Sequence, residues 1–212
     1  MVLDFYSTLL LITGLYLLWN VVWYGWHIGA IGAKGVLPVS PSHIAKEFLF
    51  PFVTVVVKRR FPTMFYYEDK GRVLIIPKFF MGDIKLGKQV CLLFIIGRVL
   101  QSLSGEWFVP IRRWFEIIAK WLFIFSPVLW WIGGKPALAW DLFIIVVLLL
   151  FVAYWDTDGY IRALIMYTQQ ADLSEEIQDY LHSLRFYPFS LFLVLRTPLD
   201  IIAVVGGRNK SG

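Results

Sequence analysis

Cysteine is almost missing from this chain: Cys91 is the one thiol, so no disulfide can staple the fold from within. Histidine is nearly as scarce, with only His27, His43 and His182. A b-type haem needs axial ligands facing each other across a pocket. His27 ends an apolar run, His43 sits in a loop leading to a short helix, and His182 sits in a late amphipathic helix. A shared haem or metal site is therefore not expected, and neither is any other cofactor. Charge is thin as well, at 17% of residues against about 25% in an average soluble chain. The net charge of +5 comes with no RNA- or DNA-binding motif, which excludes nucleic acid as the natural partner and points to anionic lipid headgroups instead. Gly29, Gly32 and Gly35 lack the Lys-Ser/Thr of a phosphate loop. Repeats and low-complexity tracts are absent.

What the chain has is long apolar runs, with 58% hydrophobic residues and ten tryptophans. Residues 4–26 are long enough to cross a bilayer, for which about twenty apolar residues suffice. Trp19, Trp23 and Trp26 gather towards one end, as an interfacial belt would. No basic segment precedes this run, so it is expected to stay as an anchor rather than serve as a signal peptide. Residues 114–131 and 139–155 form two more spans around Gly133-Gly134-Lys135-Pro136, a transmembrane hairpin covering 114–155. Glu116, Lys120 and Asp141 lie towards the ends of these spans, and a transport path normally shows polar groups further in. A fourth apolar stretch, 187–206, is interrupted by Pro188, Arg196, Pro198 and Asp200, and either spans or lies at the interface.

Between the first two spans, residues 28–110 change character. Ser42 is placed to cap a short helix over 43–49. The β-branched run 53–57 leads into Lys58-Arg59-Arg60. Residues 64–67 and 73–76 flank Glu68-Asp69-Lys70-Gly71, a hairpin signal. A small α+β domain outside the bilayer is expected, closed by a buried helix over 85–105. In that helix Leu92, Leu93, Ile96, Val99, Leu100 and Leu103 recur at spacings of three and four, and Gly105 stands where a helix stops. After the hairpin, Asp156-Thr157-Asp158-Gly159 marks a sharp change, followed by amphipathic helices over 156–186. One of these opens at Ser174-Glu175-Glu176, with acidic residues where the helix dipole favours them. Basic residues crowd the region between the first two spans, which places the 28–110 domain on the cytoplasmic side and the N-terminus outside.

Arg98 is the single charge in the apolar middle of the 85–105 helix. A buried guanidinium without a partner costs several kcal/mol, so a carboxylate or several carbonyls must hold it. The other groups have plain explanations. Cys91 lies in an apolar helix with no histidine at helical spacing, as an inert buried thiol does. Asp156, Asp158, Glu175 and Glu176 lack the EF-hand spacing, and helix capping accounts for them. Lys58-Arg59-Arg60 suits anionic lipid or a solvated strand end.

The order of parts, from anchor to hairpin-bearing domain, buried helix, transmembrane hairpin and apolar C-terminal helix, resembles the YugP-like membrane zinc metallopeptidases over roughly residues 5–206. Tyr67 to Pro77, Phe80-Met81-Gly82, Gly97, Leu100-Gln101 and Arg162-Ala163-Leu164 carry the resemblance. The family is similar to the zincins, whose catalytic helix holds His-Glu-x-x-His. Two histidines at i and i+4 bind one zinc, and the glutamate acts on the metal-bound water. The resemblance implies a third, carboxylate ligand from a later helix. In this chain the same register reads Phe94-Ile95-Ile96-Gly97-Arg98. Phe94 stands at the first histidine, Ile95 at the glutamate and Arg98 at the second histidine, and the third-ligand position falls on Asp156. None of the first three can serve. A guanidinium placed where the ion would sit can satisfy the carboxylate directly, so an Arg98–Asp156 ion pair is expected.

The resulting expectation is a mainly α integral membrane protein with three or four transmembrane helices and a small zincin-like α+β domain. It would be a pseudoenzyme that binds no metal and acts as a structural or regulatory subunit beside another integral membrane protein in the lipid bilayer. Two alternatives come from other classes: an active membrane hydrolase built around Asp156 with Asp158, and a small transport or cofactor-binding membrane subunit.

Overall fold

A computed structural model describes residues 4–32, 43, 46–47, 49, 52–58, 66–68, 72–77, 86–187, 189–191, 193–195 and 197–198. The chain is mostly helical and forms two compact units. Unit 1 comprises residues 1–24, 110–154 and 188–212; unit 2 comprises 25–109 and 155–187. The expected 28–110 domain thus falls in unit 2, together with the segment 155–187.

Helix α1 (Phe5–Gly32), in unit 1 as far as Tyr24, begins at Asp4, whose Oδ1 accepts the Ser7 backbone N–H at 2.7 Å, satisfying one of the amides left free at a helix start. The helix runs past the expected end at residue 26 and includes Gly29 and Gly32, because no proline intervenes and a glycine costs a helix only about 1 kcal/mol. Helix α3 (Val109–Thr168) is two helices joined at Gly134, whose φ of 61° and ψ of −151° leave the helical region. That positive φ makes the turn between the two arms of the hairpin, at a backbone conformation where a side chain would be strained. The core of unit 1 is Ala119, Ile145, Leu149, Leu191 and Val194, with Leu17, Leu122, Phe123, Leu142 and Leu195 packed on it. Leu191 and Val194 bring part of the fourth apolar stretch into this core; residues 199–206 lie outside the described residues.

Helices α1 and α3 are long and apolar enough to cross a membrane. Trp19, Trp114, Trp121, Trp130 and Trp131 are exposed, the last at 85%. Lys135 Nζ donates to Asp4 Oδ2 at 2.6 Å, so the start of α1 and the hairpin turn lie at the same end of unit 1.

Unit 2 holds a three-stranded sheet in the order β1-β3-β2. The expected hairpin forms: β2 (Tyr66–Glu68) pairs antiparallel with β3 (Val73–Pro77), with Tyr67 opposite Leu74. Glu68 belongs to the strand rather than the turn, and 69–71 lie outside the described residues. Strand β1 (Thr54–Lys58) pairs parallel to β3 on its other side, a long-range pairing that no local signal announces. Helix α2 (Leu86–Leu103) stops before Gly105, and Val90 to Ile96 are all buried. Helix α4 (Glu175–Ser183) starts after Ser174 with Glu175 and Glu176 in its first turn, and a 3-10 turn, Leu184–Phe186, follows. The change of character at Asp156-Thr157-Asp158-Gly159 falls beside the division between the two units, after Tyr154, and the helix does not stop there: α3 runs through to Thr168. Those residue types are weak helix formers in isolation, but here Asp156 and Asp158 are engaged by α2 and Thr157 Oγ1 donates to the Arg185 carbonyl, and tertiary contacts override local preference.

Candidate functional site

Phe94 and Arg98 stand one helical turn apart on α2, on one face. Asp156 and Tyr160 stand one turn apart on α3. The two faces meet in antiparallel order. The Phe94 ring stacks on Tyr160 with centroids 4.4 Å apart, and Arg98 meets Asp156. The guanidinium binds the carboxylate through two parallel bonds: Nε donates to Oδ1 at 2.8 Å and Nη2 donates to Oδ2 at 2.6 Å. Asp156 is 1% exposed and Arg98 11%. A fork-to-fork pair of this kind fixes direction as well as distance, which a lysine could not do.

The helices approach closely because Gly97 lies between the two contacts. A Cβ on Gly97 would stand 2.2 Å from the Gly159 carbonyl oxygen, closer than any real contact. One turn further along α2, the amide of Gln101 donates to the Trp155 carbonyl at 2.8 Å and to Asp158 Oδ2 at 3.0 Å. Asp158 also receives Arg162 Nε at 3.0 Å, and Arg162 Nη1 donates to Glu106 Oε1 at 2.8 Å. This chain of partners leads from buried Gln101 to half-exposed side chains. Phe108, beyond the end of α2, stacks flat on Trp155 at 5.4 Å.

Phe94, Arg98 and Asp156 come together; Ile95 is buried without a polar group to offer. A zinc ion does not fit this set, which offers a phenyl ring, a cation and a carboxylate already bound to that cation. Among the described residues no three His, Cys, Asp or Glu side chains converge on one point. His43 is exposed and pairs with Glu47 at 3.3 Å, and His182 is exposed in the last turn of α4. The side chain of His27 lies outside the described residues, as do Arg59, Arg60 and Phe80-Met81-Gly82. Cys91 is buried.

Sequence reasoning missed Gln101, Glu106 and Arg162 as partners and treated Asp158 as a cap. The signal was available: once two antiparallel helices are pinned at Arg98 and Asp156, Gln101 must lie beside the turn that carries Trp155 and Asp158. It also left Asp141 near the end of a span, whereas that side chain is buried in unit 1. Compared with protein-family models, curated proteins and solved structures, the chain matches none.

Proposed function

We propose that this is a non-catalytic integral membrane protein, a structural or regulatory subunit whose unit 2 keeps the plan of a zinc-peptidase site with the ion replaced by an internal ion pair. The observation that carries the reading is the Arg98–Asp156 pair. It stands on the two facing helices at the positions where the resemblance puts the second histidine and the carboxylate ligand. Its two charges neutralise each other, and Phe94 fills the remaining ligand position with a ring packed on Tyr160 and 5.9 Å from Tyr187. Among the described residues no group there is free to polarise a carbonyl or to activate water. Asp158, the second carboxylate of the hydrolase alternative, is engaged by Gln101 and Arg162.

Membrane residence is supported by the surface of unit 1. A soluble bundle buries its large apolar side chains, but here Leu18, Trp19, Trp114, Trp130 and Ile132 all face outward. An apolar exterior of this extent suits lipid and the flank of a second membrane protein. The basic residues between α1 and α3 favour the cytoplasmic side for 28–110.

The test is metal analysis of the purified full chain together with a proteolysis assay. The expected result is no stoichiometric zinc and no hydrolysis. Stoichiometric zinc with activity that disappears in Asp156→Asn would overturn the reading.

A further inference from the structure

Unit 1 contains a buried carboxyl that is only half satisfied. Asp141 is 4% exposed, on the second arm of the hairpin, beside Leu142 and Ile145 of the apolar core. Its Oδ2 lies against Ser126 Oγ on the first arm, and its Oδ1 is buried with no hydrogen-bond partner among the described residues. No cationic side chain pairs with it among the described residues.

Ser126 Oγ also lies 3.0 Å from the Leu122 carbonyl, in the back-bonded arrangement common for a serine inside a helix. A serine hydroxyl has one hydrogen, so it serves the Leu122 carbonyl or Asp141 Oδ2, not both. Given to an ionised Asp141, it leaves a charge in an apolar core with an empty Oδ1 and no cation beside it among the described residues. A neutral acid avoids that cost: it donates Oδ2–H to the serine, the serine hydrogen goes to the Leu122 carbonyl, and Oδ1 is left as an uncharged carbonyl, which tolerates burial far better.

We propose that Asp141 is a proton-binding site within the helical core of unit 1. It is held as the neutral acid by donating to Ser126, and its ligand is a proton. The assignment rests on unit 1 alone and is independent of the reading of Arg98 and Asp156. Because Asn carries an N–H donor where the acid carries its O–H, Asp141→Asn should preserve both the contact and the fold.

Infrared spectroscopy of the full chain in detergent or lipid at neutral pH tests it. The expected result is a protonated-carboxyl carbonyl band that shifts in heavy water, vanishes in Asp141→Asn and moves to higher frequency in Ser126→Ala, where the acceptor is lost. Should Asp141→Asn fail to fold, aspartate labelled with carbon-13 at its carboxyl gives the same answer on the unaltered chain, by shifting the band. An absent band in the unaltered chain, a band that survives Asp141→Asn, or one that ignores the aspartate label overturns the proposal.

Discussion

A single guanidinium decides how unit 2 is held together. With Asp156 almost fully enclosed, removing either partner strands a charge in an apolar setting. Arg98→Ala and Asp156→Ala should each cost about 3–5 kcal/mol, read from chemical denaturation of the detergent-solubilised protein. Replacing both together, Arg98→Met with Asp156→Leu, should recover most of that loss, because a buried pair exchanged for packed apolar groups is often close to neutral. A double variant no more stable than the single ones would mean that the pair supplies net stabilisation rather than mutual neutralisation. Gly97 is the other decisive residue. Gly97→Ala places a methyl group on the Gly159 carbonyl, and since backbone rather than a flexible side chain must yield, the expected loss is at least the ~1–3 kcal/mol typical of overpacking. An unchanged melting temperature would show that the helices can part without penalty.

At the scale of the elements, periodicity carried the reading a long way. The buried helix, the strand pair β2–β3 and the turn at Gly134 were all legible, because each is written in contiguous residues: apolar spacing of three and four, alternation around a glycine-bearing turn, and a Gly-Gly-Lys-Pro break. The parallel pairing of β1 with β3 was not, since it joins segments with no shared local pattern. The continuity of α3 through Asp156-Thr157-Asp158-Gly159 was hidden for the opposite reason. Composition changes abruptly there, and the partners of Asp156 and Asp158 on α2 show how those carboxylates sit within a helix. Helix α4 provides a check by pH. Burial pushes the Tyr180 phenol up to about 12 from its ordinary 10.0. A raised value means that the folded state favours the protonated form. Its contribution to stability is complete below pH 10.0 and is lost as the pH climbs towards 12. Tyr180→Phe should therefore flatten the alkaline limb of the stability profile above pH 10.0. An alkaline limb identical in the two proteins would remove Tyr180 from the explanation.

The whole molecule joins an outwardly apolar helical unit to a mixed α+β unit whose polar groups are largely spent on one another. Topology can be tested without knowing a partner. The Asp4–Lys135 contact puts the start of α1 and the hairpin turn at one end of unit 1. Single cysteines at two exposed positions, Phe5→Cys and Ile132→Cys, should therefore react with a membrane-impermeant maleimide from the same side of sealed vesicles. Buried Cys91 should stay silent. Labelling from opposite sides would contradict the arrangement of unit 1. The central claim, that a guanidinium stands in for a metal ion, is tested most directly by restoring the ligands: zinc content of the purified Phe94→His, Ile95→Glu, Arg98→His variant beside the unaltered chain. The account predicts one zinc per chain in the folded variant, with Asp156 as the remaining ligand, and none in the unaltered protein. A folded variant that takes up no zinc, or an unaltered chain that already carries it, would contradict the account.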